Sequence, residues 1–271
     1  MIITYPILYN IKKIKNYTLM SSKTNTELIL YKPKLVSKVR LKKKNHFIKF
    51  SNPFFEDSFK VILNEVDNIN ILKSCDNIIP ILDFGLDEVN IDGTNIKLKF
   101  FVTKYIESDL RETISDYKTL RKFILDISSF LFQVHKLGYL YDDLKPDNIM
   151  YSNEENSFKI IDFGSIKKYR ANNNKRYNIH SRYERSIYSS KSKLLCVNYG
   201  YEADWYALGI IISEIIYDID YFTKLILPLN TKYKEKIRLT TTQRKWLVEF
   251  INMLLSDSID DNEVVNKLSK I

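Results

Sequence analysis

Four polar side chains stand at fixed intervals in one short stretch: Asp143, Lys145, Asn148 and Asp162. Asn148 follows Asp143 by five positions, and Asp162 follows Asn148 by fourteen. Carboxylate and amide oxygens are hard donors of the kind magnesium takes, and magnesium needs few of them because it keeps several waters. A carboxylate held near a hydroxyl can accept its proton. The elements between these groups must bring them together. Ile149-Met150-Tyr151 and Phe158-Lys159-Ile160-Ile161 are two short apolar runs around the polar turn Ser152 to Ser157, a pattern that predicts a tight hairpin. Its open end would bring Asn148 and Asp162 to neighbouring positions. The plain alternative is an acidic loop followed by an ordinary hairpin.

Tyr141-Asp142-Asp143-Leu144-Lys145-Pro146-Asp147-Asn148 resembles the catalytic loop of the eukaryotic-type protein kinase superfamily, and Asp162-Phe163-Gly164 resembles the metal-binding motif that follows it. The resemblance implies phosphoryl transfer from ATP with magnesium, a reaction that rests on positioning and charge compensation. It makes Asp143 the acceptor of the substrate hydroxyl proton, with Lys145 near the transferred phosphate. It makes Asn148 and Asp162 the metal ligands. A second copy of the short motif, Asp83-Phe84-Gly85, lies far upstream and reads as a strand end without a catalytic role.

The rest of the chain can be placed around this stretch. Residues 1–104 read as a small, strand-rich N-lobe, with strands at Tyr17 to Met20 and Glu27 to Lys32 joined by the turn Ser21 to Thr26. In a kinase that turn is a glycine-rich loop over the phosphates; here the first glycine of the chain is Gly85. Leu35 to Val39 resembles the third strand, which implies that Lys38 binds the α- and β-phosphates of ATP, although Lys34, Lys42, Lys43 and Lys44 stand close by. Val61, Ile62, Val66, Ile69 and Leu72 recur at helical spacing and predict a helix over 59–73. It carries Glu65, the expected partner of Lys38; the alternatives are Asp67 as that partner, or Glu65 as a plain solvent-facing helix carboxylate. Strands are predicted over 78–86 and 96–103, with a turn at Asp92-Gly93.

Phe101 to Ile106 resembles the hinge between lobes. Thr103 would stand at the back of the adenine pocket, the backbone of Lys104, Tyr105 and Ile106 would bond the adenine edge, and Asp109 would approach the ribose. From residue 105 to 271 the chain reads as a larger, mostly helical C-lobe. Leu120 to Lys136 is an amphipathic helix ended by Gly138, in which His135 reads as structural. Residues 165–200 would be the activation and substrate-docking segment. It lacks an A-P-E motif, as does the casein-kinase-1 group. Glu202 to Gly209 resembles the start of the large central helix, with Asp204 holding the catalytic-loop backbone. Helices over 243–256 and 261–270 close the chain. Where many kinases carry an arginine before the catalytic aspartate, this chain has Asp142. It could pair with a basic residue of the segment, Lys167 among them, or be a solvated loop residue.

The expected fold is therefore α+β, a bilobal protein-kinase-like fold with a small antiparallel-sheet N-lobe holding one helix. The expected activity is ATP- and magnesium-dependent phosphorylation of Ser/Thr residues on proteins, because Leu144-Lys145-Pro146 resembles the Ser/Thr pattern. The alternative is a pseudokinase scaffold that binds a partner protein. A protein substrate is implied, and the resemblance leaves room for a regulatory protein partner.

Composition bounds these readings. An apolar share of 45% in 271 residues suffices for a real core. No run of eighteen apolar residues occurs, so no membrane span is expected. The amino-terminal apolar residues precede their lysines, the wrong order for a signal peptide. Two distant cysteines, Cys75 and Cys196, give no disulfide framework and suit a reducing, cytoplasmic setting. The net charge of +9 is spread along the chain, which favours a solvated basic surface over a nucleic-acid site. Abundant Ile, Asn, Lys and Tyr suggest an A/T-rich genome, such as that of a large DNA virus or a parasite. For a virus, the setting would be the host cytoplasm.

Overall fold

The computed structural model describes residues 46–52, 55, 57–89, 93–106, 108, 110–169, 188–190, 199–217, 235–256 and 258–271, together with the backbone of 13–14, 17–18, 36–40 and 90–91. The expected strand over Glu27 to Lys32, the glycine-free turn Ser21 to Thr26, Asp109 and most of the segment 170–198 lie outside the described residues.

The chain divides into two compact units, one of Met1–Ser74 with Ile79–Ile106 and one of Cys75–Ile78 with Glu107–Ile271. In the first, β1 (Lys13–Ile14) and β2 (Tyr17–Thr18) form a small antiparallel pair. The main sheet joins β3 (Val36–Arg40), β4 (His46–Ser51), β5 (Ile81–Ile91) and β6 (Thr94–Lys104) in the order β3-β4-β6-β5, antiparallel throughout. β4 and β6 lie inside the sheet. Ile48 to Ser51 and Phe100 to Thr103 are buried on both faces, as central strands must be. β5 alternates, with Leu82, Phe84 and Leu86 exposed, the period of a strand covered on one face only. The β5–β6 hairpin turns at Gly93 as expected, but its strands run further than the expected 78–86 and 96–103. The polar residues Asp87, Glu88, Asn95 and Lys97 extend the pairing.

Helix α1 (Ser58–Ile71) sets Ile62, Val66 and Ile69 along one buried stripe, the helical period read from the sequence. Glu65 and Asn68 lie on that same buried face. Beyond Ser74, the chain leaves the first unit for four residues. Asp76 N–H donates to Gln133 Oε1 (3.1 Å), Asn77 Nδ2 to the Phe158 carbonyl (2.9 Å), and Ile160 N–H to the Asn77 carbonyl (2.8 Å). The sequence division at 104/105 does not contain this excursion.

In the second unit a short helix α2 (Leu110–Thr113) precedes α3 (Tyr117–Lys136). Asp116 caps α3 by accepting from Thr119 N–H at 2.7 Å. Leu120, Phe123, Ile124, Ile127, Phe130, Leu131 and Val134 are all fully buried along α3. Burial of each such side chain contributes about 1.5–3 kcal/mol. Gly138, at φ +81°, follows the helix in the left-handed conformation that glycine adopts without a Cβ clash. β7 (Tyr139–Leu140) then pairs with β10 (Lys167–Lys168), and β8 (Ile149–Ser152) with β9 (Ser157–Ile160). Helix α4 (Glu202–Ile216) is buried over nearly its whole length. Gly209 lets it approach its neighbour closely, since a Cβ there would meet Leu254 at 3.1 Å and Leu255 at 3.2 Å. Helices α5 (Thr241–Leu254) and α6 (Asp261–Leu268) each begin with a capping box, at Thr240/Gln243 and Asp260/Glu263.

Candidate active site

The loop after β7 is held from below by one carboxylate. Asp204, in the first turn of α4, accepts the Tyr141 and Asp142 backbone N–H groups, each at 2.8 Å. This is the backbone-holding role expected for it. His135 stands behind it, fully buried, with Nε2 3.0 Å from Asp204 and Nδ1 2.8 Å from Asp261. Trp205 Nε1 donates to the same Asp261 oxygen at 2.8 Å. Burial alone would lower the His135 pKa; the hydrogen bonds and charges of Asp204 and Asp261 outweigh it and raise the pKa. His135 is therefore a structural histidine bridging two carboxylates, which favour its charged form. Tyr201 stacks on its ring at 4.3 Å and donates to its carbonyl at 3.1 Å; burial pushes the Tyr201 hydroxyl up to about 12, so it remains a donor.

On this base the four polar groups converge as their spacing implied. Lys145 Nζ lies 2.7 Å from Asp143 Oδ2. Asn148, on the single turn Pro146–Asn148, donates Nδ2 to both the carbonyl and Oδ2 of Asp143, each at 2.9 Å. With its nitrogen turned to Asp143, the Asn148 amide oxygen is turned away from it. The hairpin β8–β9 returns the chain so that Ile161 N–H donates to the Asn148 carbonyl at 3.1 Å, which sets Asp162 at the same end of the strands. Tyr141 Oη donates to the Asp162 carbonyl at 2.6 Å, and Gly164 N–H to Asp162 Oδ1 at 3.3 Å. Phe163 is buried and packs edge-on against Phe130 and Tyr141, with centroids 6.4 and 6.3 Å apart.

The upstream Asp83-Phe84-Gly85 differs on each count. It lies within β5 rather than at a strand end, and Phe84 is 59% exposed where Phe163 is 1%.

In the first unit, the structure gives Glu65 a partner other than the expected one. Glu65 pairs with Lys49 on β4, and the side chain of Lys38 lies outside the described residues. Both side chains are almost wholly buried, and the Lys49 ammonium also lies 5.9 Å from the centre of the Phe101 ring. Lys38 sits on the preceding strand, opposite Lys49 in the register. The helix face bearing Glu65 meets the inner strand, so the inner lysine takes the carboxylate. The sequence signal was present in His46-Phe47-Ile48-Lys49-Phe50, a single lysine within an apolar strand. Thr103 is buried on β6, across from Phe47 and Ile81, and Lys104, Tyr105 and Ile106 follow it, half-buried. Among the described residues no cluster of three or more His, Cys, Asp or Glu side chains forms a metal centre, and no helix is long and apolar enough to cross a membrane.

Residues 33–261 match the family model described as a protein kinase domain, and the chain belongs to that family. A protein of Dictyostelium discoideum named a probable serine/threonine-protein kinase is 28% identical over 185 residues, 66% of this chain and 33% of that protein. The human citron Rho-interacting kinase is 30% identical over 108 residues, 38% of this chain and 5% of that protein. The chain thus spans a minor part of the length of both relatives. The solved structure of a kinase from the Cydia pomonella granulovirus shares the fold with a TM-score of 0.59 and 18% identity, over 87% of this chain and 90% of that one. The chain is a divergent eukaryotic-type protein kinase domain with an α+β fold.

Proposed function

We propose that the protein is an active kinase that transfers the γ-phosphoryl group of ATP to Ser/Thr hydroxyls of protein substrates. The observation that carries this reading is the joint engagement of Asp143 by Lys145 and Asn148, on a loop whose backbone is fixed by Asp204. Preorganised charge of this kind supplies most of the catalysis in phosphoryl transfer. Asp143 orients the acceptor hydroxyl and takes its proton. Lys145, already beside that carboxylate, places a positive charge where the transferring phosphoryl would develop negative charge. The donor set fits magnesium: the Asn148 amide oxygen is turned away from Asp143, and the Asp162 carboxylate is held at the same end of the hairpin. Magnesium bound there would offset phosphate charge.

On the first unit, Lys49 takes the phosphate-binding role expected of Lys38, oriented by Glu65. Thr103 and the backbone of Lys104 to Ile106 would receive the adenine, and Asp109 would approach the ribose. Leu144-Lys145-Pro146 and the named Ser/Thr kinase relative support hydroxyl acceptors on serine and threonine. A cytoplasmic setting and a regulatory protein partner belong to the same proposal.

The glycine-free turn Ser21 to Thr26 favours a second reading, a scaffold that binds a partner without turnover. Purified protein with labelled ATP, magnesium and generic acidic and basic protein substrates separates the two. Label transfer that is lost in Asp143→Asn supports the kinase; absence of transfer in well-folded wild-type protein refutes it.

A further inference from the structure

Asp142 is the neighbour of the proposed base, yet none of the roles above uses its side chain. Its φ of +66° lies in the left-handed region that non-glycine residues seldom adopt, so the surroundings must hold it there. Its carboxylate is buried, with the side chain 1% exposed, and it pairs through Oδ2 with Lys167 Nζ. Tyr199 Oη donates to the same oxygen at 3.2 Å, and Lys167 Nζ lies 3.3 Å from Tyr199 Oη. Lys167 belongs to β10, which pairs with β7 (Lys167 opposite Leu140) just ahead of the loop. Tyr199 immediately precedes Gly200, whose N–H is bonded by Glu202 at the start of α4. One carboxylate therefore ties together three segments: the loop carrying Asp143, the strand after Asp162-Phe163-Gly164, and the approach to α4.

We infer that Lys167, acting through Asp142 and Tyr199, is a positioning residue that holds the Asp143 loop in its working conformation without a phosphate on the segment between Gly164 and Tyr201. The charges give the reason. A phosphate docked beside position 142 would meet a carboxylate there, and it would compete with Asp142 for Lys167. Lys167, a cation that could receive a phosphate, is already engaged, and the carboxylate it neutralises is almost wholly buried. The tie is thus complete without a phosphate. Its kinetic consequence rests on the phosphotransfer reading; its structural consequence does not.

The test uses the full chain with Lys167→Met, Lys167→Arg and Asp142→Asn/Lys167→Met, followed by hydrogen exchange and by turnover. In Lys167→Met, amide exchange over 139–143 should rise about tenfold or more. Turnover should fall about tenfold or more while KM for ATP stays within about twofold. Lys167→Arg should restore both to within about threefold of wild type, because it returns the charge. The double variant removes the buried negative charge as well as the tie, so its exchange should lie between wild type and Lys167→Met. Wild-type protein treated with phosphatase, and verified by mass, should keep most of its turnover. Unchanged exchange over 139–143 in Lys167→Met overturns the inference. So does a large loss of turnover on dephosphorylation that rephosphorylation reverses. If Lys167→Met does not fold, exchange in the double variant decides: above wild type supports the tie, equal to wild type sinks it. If wild type transfers no phosphate, the phosphotransfer reading fails and the exchange measurements alone judge the tie.

Discussion

Replacing Lys49 separates its structural contribution from its chemical one. The Lys49–Glu65 pair is buried at both ends, with side chains 7% and 1% exposed. Lys49→Met would take the buried cation away from the Glu65 carboxylate, at a cost of about 3–5 kcal/mol. That is a large share of a typical stability of about 5–15 kcal/mol. At about 2–4 °C per kcal/mol for a domain of this size, Tm should fall by about 6–20 °C. Lys49→Met/Glu65→Met removes both charges, and such apolar replacements are often neutral or stabilising, so Tm should return most of the way. Turnover should not return with it. Loss of a preorganised cation facing the phosphates costs about 10²–10³ in rate, and the double variant still lacks that cation. Lys38→Met should cost turnover far less than Lys49→Met, because the Glu65 carboxylate is paired with Lys49. The assays are differential scanning fluorimetry and single-turnover label transfer on the same preparations. Loss of turnover in Lys38→Met at unchanged Tm, with turnover kept in Lys49→Met, would refute the assignment.

Three further outcomes concern the Asp143 loop with Asp162, the upstream Asp83, and His135. Asp143→Asn should abolish transfer and leave Mg–ATP binding by calorimetry near wild type, whereas Asp162→Asn should weaken that binding in a magnesium-dependent way; wild-type turnover in Asp143→Asn would remove it from the chemistry. Asp83→Asn should leave turnover within about threefold, as for a residue away from the chemistry, and equal losses in well-folded Asp83→Asn and Asp162→Asn would mean the two motifs had been interchanged. The raised His135 pKa gives a sign for stability against pH: protonation of His135 stabilises the fold fully below its unfolded value of 6.5, and this is lost as pH rises through the higher folded value. The stability gap between wild type and His135→Asn in urea should therefore narrow on going from acid to alkaline pH, and a widening gap would show that His135 is held neutral.

The parts of the fold that were legible in the sequence are those decided locally. The period of Ile62, Val66 and Ile69 fixed α1 to within two residues, and the run from Leu120 to Val134 fixed α3, with Gly138 marking its end. The loop over 141–148 and its hairpin were legible for the same reason, because Asp143, Asn148 and Asp162 are joined by a few residues and one tight turn. The limits appeared where a polar pattern continued an apolar one. Asp87 to Ile91 extends β5 because cross-strand pairing with Thr94 to Leu98 satisfies its backbone, with Val89 as its buried apolar residue. The excursion of 75–78 into the second unit rests on hydrogen bonds to α3 and β9, two of them through the side chains of Gln133 and Asn77, and on only two buried apolar residues, Cys75 and Ile78.

The site residues that were misread or missed depend on partners far away in sequence. Choosing Lys49 over Lys38 requires knowing which strand lies inside the sheet, and that is settled by the pairing of β4 with β6, more than forty residues downstream. Yet Glu65 itself offered a clue. It occupies an apolar stripe between Ile62 and Val66, where a carboxylate is tolerated only if a cation is buried with it. A buried partner must come from a strand whose neighbours are apolar on both sides, and Phe47-Ile48-Lys49-Phe50 meets that condition better than Val36-Ser37-Lys38-Val39. The same reasoning bears on Asp142. Its sequence neighbour Tyr141 and the residue after Asp143, Leu144, are both buried, so a solvated Asp142 would need the chain to turn outward between them. Burial of the loop forces the carboxylate inward, and a carboxylate forced inward selects one lysine from a basic segment. The loop thus carries its own counter-ion requirement, which Lys167 meets from the paired strand.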